Sequence, residues 1–114
     1  MSLYASGIIR IISDIELKHL QSGTTVANFA GGINEGKDKS GNYIRNAMDV
    51  EVWGKSAEVI AENLKKGDAI LASGNVRMQE WTEKETGKNR RKHVLSVQRF
   101  EFLPRAANDQ EEPF

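Results

Sequence analysis

Residues 50–81 read VEVWGKSAEVIAENLKKGDAILASGNVRMQEW, and this stretch decides the fold because its hydrophobic period changes twice. The first four residues end a run in which apolar and polar side chains alternate, as in a strand with one buried face. The apolar positions of residues 56–67 instead recur at helical spacing: Ala57, Ile60, Ala61 and Leu64. From residue 69 the β-branched and apolar pattern of a strand returns. The stretch therefore predicts a short helix between two strands.

Both ends of this predicted helix carry residues that suit a helix terminus. Ser56 is a residue type that caps a helix N-terminus. Lys65 and Lys66 suit the negative end of the helix dipole, and Gly67 suits a left-handed stop. We therefore expect a helix of about three turns.

The rest of the chain is dominated by segments with the composition of strands. Residues 3–12 are rich in β-branched and apolar types, and an alternation of apolar and polar residues continues to residue 20. The polar, glycine-bearing stretch NEGKDKSGN suits a hairpin loop. The predicted strands are residues 3–20, 24–33, 43–53, 69–81 and 91–103. Three strands, one short helix and two strands predict an all-β fold, a five-stranded OB-fold Greek-key barrel with the helix between strands 3 and 4.

Residues 104–114 have few apolar side chains and no period. We therefore predict one barrel domain over residues 1–103, and a short linker with a disordered acidic C-terminal tail over residues 104–114.

Composition limits the classes of function. The 114 residues suit one domain, and the absence of cysteine excludes disulfides and thiolate metal sites. No apolar run approaches the roughly 20 residues of a membrane span, and MSLYASGIIR lacks the pattern of a signal peptide. A cytoplasmic protein with no membrane partner is the expectation.

The formal net charge of zero hides an asymmetry. There are 16 basic and 16 acidic residues, but Asp109, Glu111 and Glu112 fall in the last six residues, where there is no base. Residues 77–99 hold seven bases against three acids. This distribution predicts an anionic partner for the basic stretch and a separate role for the acidic end.

No catalytic, metal-binding or cofactor-binding motif is present in the sequence. GKS at residues 54–56 resembles the end of a phosphate-binding loop, but Asp49 stands where that loop requires its first glycine. His19 and His93 lie far apart, and no spacing indicates a carboxylate pair or a nucleophile with its base. We therefore expect neither an enzyme nor a bound cofactor or metal.

Aromatic residues interleaved with bases give the positive signal. Trp53 lies on the polar side of the third predicted strand, and Trp81 lies at the root of the basic loop. An exposed ring that stacks on a nucleic-acid base contributes roughly 1–3 kcal/mol, and nearby cations hold the phosphates. The alternatives are that each tryptophan is a core or interface residue and that GKNRRK is a solvated hairpin tip. The joint pattern favours binding, with phosphate contacts from Lys37, Lys39, Arg45, Arg77, Lys84, Lys88, Arg90, Arg91 and Lys92.

Three stretches resemble the bacterial single-stranded DNA-binding protein family. They are SGTTVANFAGGIN, VEVWGKSAEVIAENLKKGDAILASGNVRMQEW and the terminal DQEEPF, and the likeness covers most of residues 5–103 in the right order. The resemblance implies an OB fold, a homotetramer, sequence-tolerant binding of single-stranded DNA and a location at the nucleoid. It also implies that the tail recruits proteins of DNA replication, recombination and repair.

The chain departs from the family pattern at several positions. Trp53 and Trp81 match two of the family's stacking positions, but two others fall on about Gly36 and Ala47, which cannot stack. Asp49 and Glu51 share the strand face of Trp53, where like charge opposes the passage of phosphates. The spacer PRAAN is much shorter than that of many members. These features predict a divergent or short member of the family.

The terminal DQEEPF has the chemistry of a peptide that binds protein partners. Phe114 can fill an apolar pocket while its α-carboxylate meets a base, and Pro113 stiffens the approach. The acids Asp109, Glu111 and Glu112 steer the peptide toward basic rims. One alternative to a DNA-binding protein therefore stays open: an OB-fold adaptor, similar to primosomal proteins, that acts mainly through protein–protein contacts.

Overall fold

The computed structural model describes residues 3–104, apart from the side chain of Arg45, and consists of six strands and one helix. The elements in chain order are β1 (Leu3–Ile11), β2 (Glu16–His19), β3 (Thr25–Lys37), β4 (Tyr43–Trp53), α1 (Lys55–Asn63), β5 (Ala69–Thr82) and β6 (Asn89–Phe102). The tail prediction for residues 105–114 lies outside the described residues. The predicted all-β fold, with its helix between the third and fourth long strands, is confirmed.

The sheet closes on itself. Its strand order is β1-β5-β6-β4-β3-β2, and an additional pairing of the first strand, β1, with β3 closes the barrel. The neighbours are antiparallel except β4 and β6, which run parallel where Asp49–Val52 faces Val94–Val97. Because two parallel strands cannot be joined by a hairpin, the chain crosses over through α1 and β5 before it returns as β6. This crossover gives the barrel the Greek-key order of an OB fold.

The first predicted strand is divided in two, which is why six strands stand where five were expected. Between β1 and β2 the backbone N–H of Ala30 donates to the hydroxyl of Ser13, at 2.8 Å, instead of to a backbone carbonyl. β1 pairs with β3 at Gly31 and Gly32, and β2 pairs with β3 over Thr25–Asn28. β1 and β2 therefore act as the two halves of one bent barrel strand. Hydrophobic periodicity does not reveal a side chain that replaces a backbone hydrogen bond between strands, so it could not predict this break.

The hydrophobic core fills the interior of the barrel and the end that α1 covers. The largest fully buried side chains are Ile11, Val50, Val52, Ile60 and Ile70. The helix contributes Ala57 and Ile60, which close the end of the barrel against β3. Where β5 crosses β6 the register shifts, and a Cβ on Gly74 would lie 2.0 Å from the carbonyl oxygen of Ser96. Only glycine permits this close approach of two strands.

The predicted helix ends are wrong in detail. The N-cap is Gly54, with φ at 70° and no side-chain cap, so Ser56 lies inside the first turn. The helix ends at Asn63, so Lys65 and Lys66 lie beyond its last turn. Gly67 has φ at +103°, but it belongs to the following turn, where its N–H donates to the carbonyl of Ile11 at 2.7 Å. The helix therefore spans the nine residues Lys55–Asn63, and the chain then turns to this contact with β1.

The described residues include no helix that is long and apolar enough to cross a membrane.

Candidate nucleic-acid interface

Strand alternation gathers aromatic and charged side chains on one outer face of the barrel. On β4 the inward residues Val50 and Val52 are buried, so the residues between them point outward. The register of β5 and β6 places Gln79 opposite Lys92 and Trp81 opposite Arg90, which puts each pair on a common side. We term this set the aromatic face: Asp49, Glu51, Trp53, Arg77, Gln79, Trp81, Arg90 and Lys92.

An open groove of about 780 Å³ runs along much of this face. Its floor comprises Val26, Asn28 and Ala30 of β3, and Lys18 of β2 lies on one side. The groove is lined by both polar and apolar groups.

The structure brings both tryptophans to the aromatic face and leaves each partly exposed. Trp53 is 41% exposed and Trp81 is 44% exposed. The Nε1 of Trp53 donates a hydrogen bond of 2.6 Å to Oε2 of Glu51. The Nζ of Lys92 lies 5.8 Å from the centre of the Trp81 ring, within the range of a cation–π interaction. Two rings that are partly open to solvent on one face suit the stacking of bases.

Glu51 is buried although it belongs to this outer face. It is only 5% exposed and accepts hydrogen bonds from Trp53 and from Arg77, whose Nε lies 3.2 Å from Oε2 and whose Nη2 also contacts Oε1. Burial by itself would raise the pKa of Glu51, but the hydrogen bonds from Arg77 and Trp53 outweigh it and hold the pKa below its usual range. Glu51 is therefore ionised at neutral pH.

Two further basic residues of the aromatic face also form ion pairs with carboxylates. Lys92 Nζ lies 3.1 Å from Asp49 Oδ2, and Arg90 Nε lies 3.0 Å from Glu83 Oε2. The sequence predicted Asp49 and Glu51 as repulsive charges on the path of the phosphates. In the structure each of them has a cationic partner, so a phosphate would have to share or displace those contacts.

The other predicted phosphate contacts lie away from the aromatic face. Lys84 and Lys88 are exposed in the loop between β5 and β6, a turn that closes where Glu83 N–H donates to the carbonyl of Lys88. Arg91 pairs in register with Glu80, so it points to the opposite side of this hairpin from Arg90 and Lys92.

The hairpin of β3 and β4 carries the remaining predicted bases. Lys37 Nζ lies 5.1 Å above the ring of Tyr43, and Lys39 is exposed in the turn that follows. The predicted role of the Arg45 side chain lies outside the described residues.

The sequence reasoning missed two residues. Tyr43 is exposed and stands ten residues before Trp53 on the same strand; this even spacing puts both on one side of β4 and could have revealed it. Lys18 adds a base to the groove and lies 3.5 Å from Glu16. It had no signal of its own, because only the pairing of β2 with β3 brings it to the groove.

A closed Greek-key barrel with aromatic and basic side chains on one face is typical of the OB-fold class that holds oligonucleotides. Residues 8–103 match the family described as the Single-strand binding protein family, and the chain belongs to that family.

Several relatives of known name support the same family. The chain is 32% identical over 90 residues to "Single-stranded DNA-binding protein 1" of a Synechocystis species. These 90 residues cover 79% of this chain and 74% of that protein. It is 29% identical over 104 residues to the "Single-stranded DNA-binding protein" of Helicobacter hepaticus, 89% of this chain but only 61% of that protein. A third relative, the "Single-stranded DNA-binding protein" of Borreliella burgdorferi, is 29% identical over 109 residues, 94% of this chain and 72% of the relative.

Proposed function

We propose that this protein binds single-stranded DNA without sequence specificity and does so as a binding protein rather than an enzyme. The observation that carries the proposal is the pair of partly exposed indoles on one face, Trp53, which lines the groove, and Trp81. Membership of the family and the names of the relatives support the same ligand. Every nucleic-acid base has a flat face, so stacking on these rings tolerates any sequence.

In this proposal, different side chains hold the nucleic-acid bases and the phosphates of the DNA. Trp53 and Trp81 stack on nucleic-acid bases, and the exposed lysines of the β5–β6 loop meet phosphates first. No ion pair joins Lys84 or Lys88 to another residue in the described part of the chain, so neither has to leave a carboxylate. Arg77, Arg90 and Lys92 share their remaining hydrogen-bond donors with the DNA strand, and Lys37 and Lys39 extend the basic path.

Titration of tryptophan fluorescence with oligothymidine of several lengths tests the proposal. Both tryptophans lie on the face, so binding at low salt should quench most of the emission, and added salt should reverse the quenching. The length at which affinity stops rising gives the site size. Absence of quenching at low salt and micromolar protein would overturn the proposal.

We also propose that the protein assembles as a homotetramer. β1 pairs with β5 from Leu3 to Arg10 but with β3 only at Arg10 and Ile11, so one edge of residues 3–9 has no strand partner among the described residues. The side chains of Leu3, Tyr4 and Ile8 on the same strand are more than half exposed. An open edge and an exposed apolar surface favour pairing with further copies. Light scattering that shows a monomer at micromolar concentration would contradict this assembly.

The acidic tip, Asp109, Glu111, Glu112, Pro113 and Phe114, lies outside the described residues, and its role is a proposal from the sequence. We propose that the tip recruits proteins of replication, recombination and repair to DNA at the nucleoid. Removing Pro113 and Phe114 should abolish capture of such partners and leave oligothymidine binding intact. Undiminished capture by the shortened chain would contradict the proposal.

One observation favours a second candidate, the OB-fold adaptor that acts mainly through protein contacts. Three predicted phosphate-binding bases, Arg77, Arg90 and Lys92, are engaged by carboxylates in the absence of DNA. An adaptor would capture partners through residues 109–114 while binding oligothymidine negligibly. The same titration, read beside the capture assay, separates the two candidates.

A further inference from the structure

Glu51 is the least exposed charged group of the aromatic face, and its contacts explain why. Its carboxylate accepts one hydrogen bond from the indole of Trp53 and two from the guanidinium of Arg77. Asp49, two residues earlier on the same side of β4, is half-exposed and forms an ion pair with the flexible ammonium of Lys92. The two acids are therefore not equivalent, although the sequence places them on one face.

The hydrogen bond from Trp53 acts on the orientation of the ring. An indole has one polar hydrogen, on Nε1, so a partner for that atom fixes the angle of the ring about its bond to the strand. The acceptor here is itself held by Arg77 and by the burial of Glu51, so it cannot follow the ring if the ring turns. A partly exposed tryptophan without such a partner samples several rotamers, and binding would have to select one of them.

The contact with Arg77 acts on a phosphate-binding group. Glu51 occupies two of the five N–H donors of the guanidinium, and the half-exposed side chain of Arg77 keeps the others for a phosphate. One carboxylate thus holds a stacking ring and a cation in a fixed relation.

We propose that Glu51 is a positioning residue of the DNA site, which orients the Trp53 ring and the Arg77 guanidinium before the strand arrives. This inference rests on the proposed function, because it assumes that Trp53 stacks on a base of single-stranded DNA. It reverses the expectation that Glu51 repels the phosphates.

Comparison of two substitutions separates a positioning role from a repulsive charge. Both Glu51→Gln and Glu51→Ala remove the negative charge, but only the glutamine keeps an oxygen that can accept the Nε1 hydrogen. A positioning role predicts that the alanine variant binds oligothymidine about fivefold more weakly than the glutamine variant. A purely repulsive charge predicts that both variants bind more tightly than the wild type and by the same factor, and this result would overturn the proposal.

A double-mutant cycle shows whether Glu51 acts through Trp53. Phenylalanine keeps a stacking ring but has no N–H, so in a Trp53→Phe background the difference between Glu51→Gln and Glu51→Ala should shrink to less than about twofold. A difference that persists in this background would show that the ring is not the route, and it would overturn the part of the proposal that concerns Trp53.

A measurement without DNA keeps the test independent of the proposed function. The chain has two tryptophans, so Trp81→Phe leaves Trp53 as the only one, and the anisotropy of its fluorescence reports the freedom of the ring. The anisotropy should fall in Glu51→Ala and stay near the wild-type value in Glu51→Gln. If the wild type fails to bind oligothymidine, the proposed function fails while this measurement still decides the orientation. If the wild type binds but both variants match it in anisotropy and affinity, this inference alone fails.

Glu62→Gln is the matched control for the loss of one negative charge. Glu62 is an exposed acid of α1 and lies outside the aromatic face. This variant should change affinity by less than about twofold and leave the Trp53 anisotropy unchanged. If Glu51→Ala unfolds below the assay temperature, Glu51→Leu replaces it, because leucine fills the site without offering an acceptor.

Discussion

The two tryptophans of the aromatic face are held in opposite ways. Trp53 stands at the end of β4 against the barrel, and its ring nitrogen is bonded to a buried carboxylate. Trp81 stands on the projecting hairpin of β5 and β6, where the neighbouring residues are exposed, and its described ring contact is the ammonium of Lys92. In the proposed function, the Trp53 ring is therefore oriented before the DNA strand arrives, and the Trp81 ring can adapt to the strand.

Loss of either ring tests this comparison with the largest expected effect. Trp53→Ala should weaken binding of oligothymidine by about 10- to 100-fold and Trp81→Ala by about 5- to 10-fold, because a stacked base contributes roughly 1–3 kcal/mol and a preordered ring loses less of it to ordering. Fluorescence anisotropy of labelled oligothymidine measures both, since it needs no tryptophan. Equal losses would remove the distinction between the two sites.

The hairpin lysines give the next effect in size. Lys84→Gln with Lys88→Gln should reduce affinity several-fold at low salt and lower the slope of log affinity against log salt by about 1.4, about 0.7 for each phosphate contact. The matched control is Lys65→Gln with Lys66→Gln, which removes two exposed lysines near the end of the helix, outside the aromatic face. An unchanged salt slope in the Lys84→Gln, Lys88→Gln variant would mean that the DNA strand does not reach the loop that follows Trp81.

A smaller effect is expected from the exposed acid at the Trp81 end. Asp49→Asn releases Lys92 from its ion pair and should tighten binding about two- to threefold at low salt, because exposed pairs are worth only about 0.2–1 kcal/mol. The gain should vanish at high salt. Glu62→Gln, an exposed acid of the helix, is the control for the change in overall charge. Weaker binding by Asp49→Asn would mean that Asp49 positions Lys92 as Glu51 positions Trp53.

The smallest expected effect is that of acid pH, which should act at the Trp53 end of the aromatic face through the carboxylate of Glu51. The pKa of Glu51 is lower in the folded state than its ordinary value, so its ionised form stabilises the fold above the unfolded pKa. That stabilisation is lost as the pH falls through the folded pKa. In a Trp81→Phe protein the Trp53 emission should therefore change with this acid transition, and Glu51→Gln should remove the change. A transition that persists in the glutamine variant would arise from another group.

Much of the fold follows from the local hydrophobic pattern, and so does the outward position of Trp53. The change of period in residues 50–81 predicts the helix between strands, and the alternation of Val50 and Val52 with their neighbours puts Trp53 outside. The end of the helix and the break in the first strand were not predictable in this way. Each lies beside a contact between segments far apart in sequence: Gly67 donates to the carbonyl of Ile11, and Ala30 donates to the hydroxyl of Ser13.

The sequence by itself determined that the chain forms a barrel of strands, which residues face outward on each strand, and that two tryptophans and several bases share those positions. Hydrophobic period is a property of consecutive residues, so it survives without knowledge of neighbours. Only the tertiary structure decided what the charges on that face do. Glu51 meets Arg77 and Asp49 meets Lys92 because the crossover through α1 brings β5 and β6 beside β4, and the pairing register fixes which side chains touch. The same acids that a linear reading places against the DNA are therefore, in the folded molecule, partners of the groups proposed to bind it.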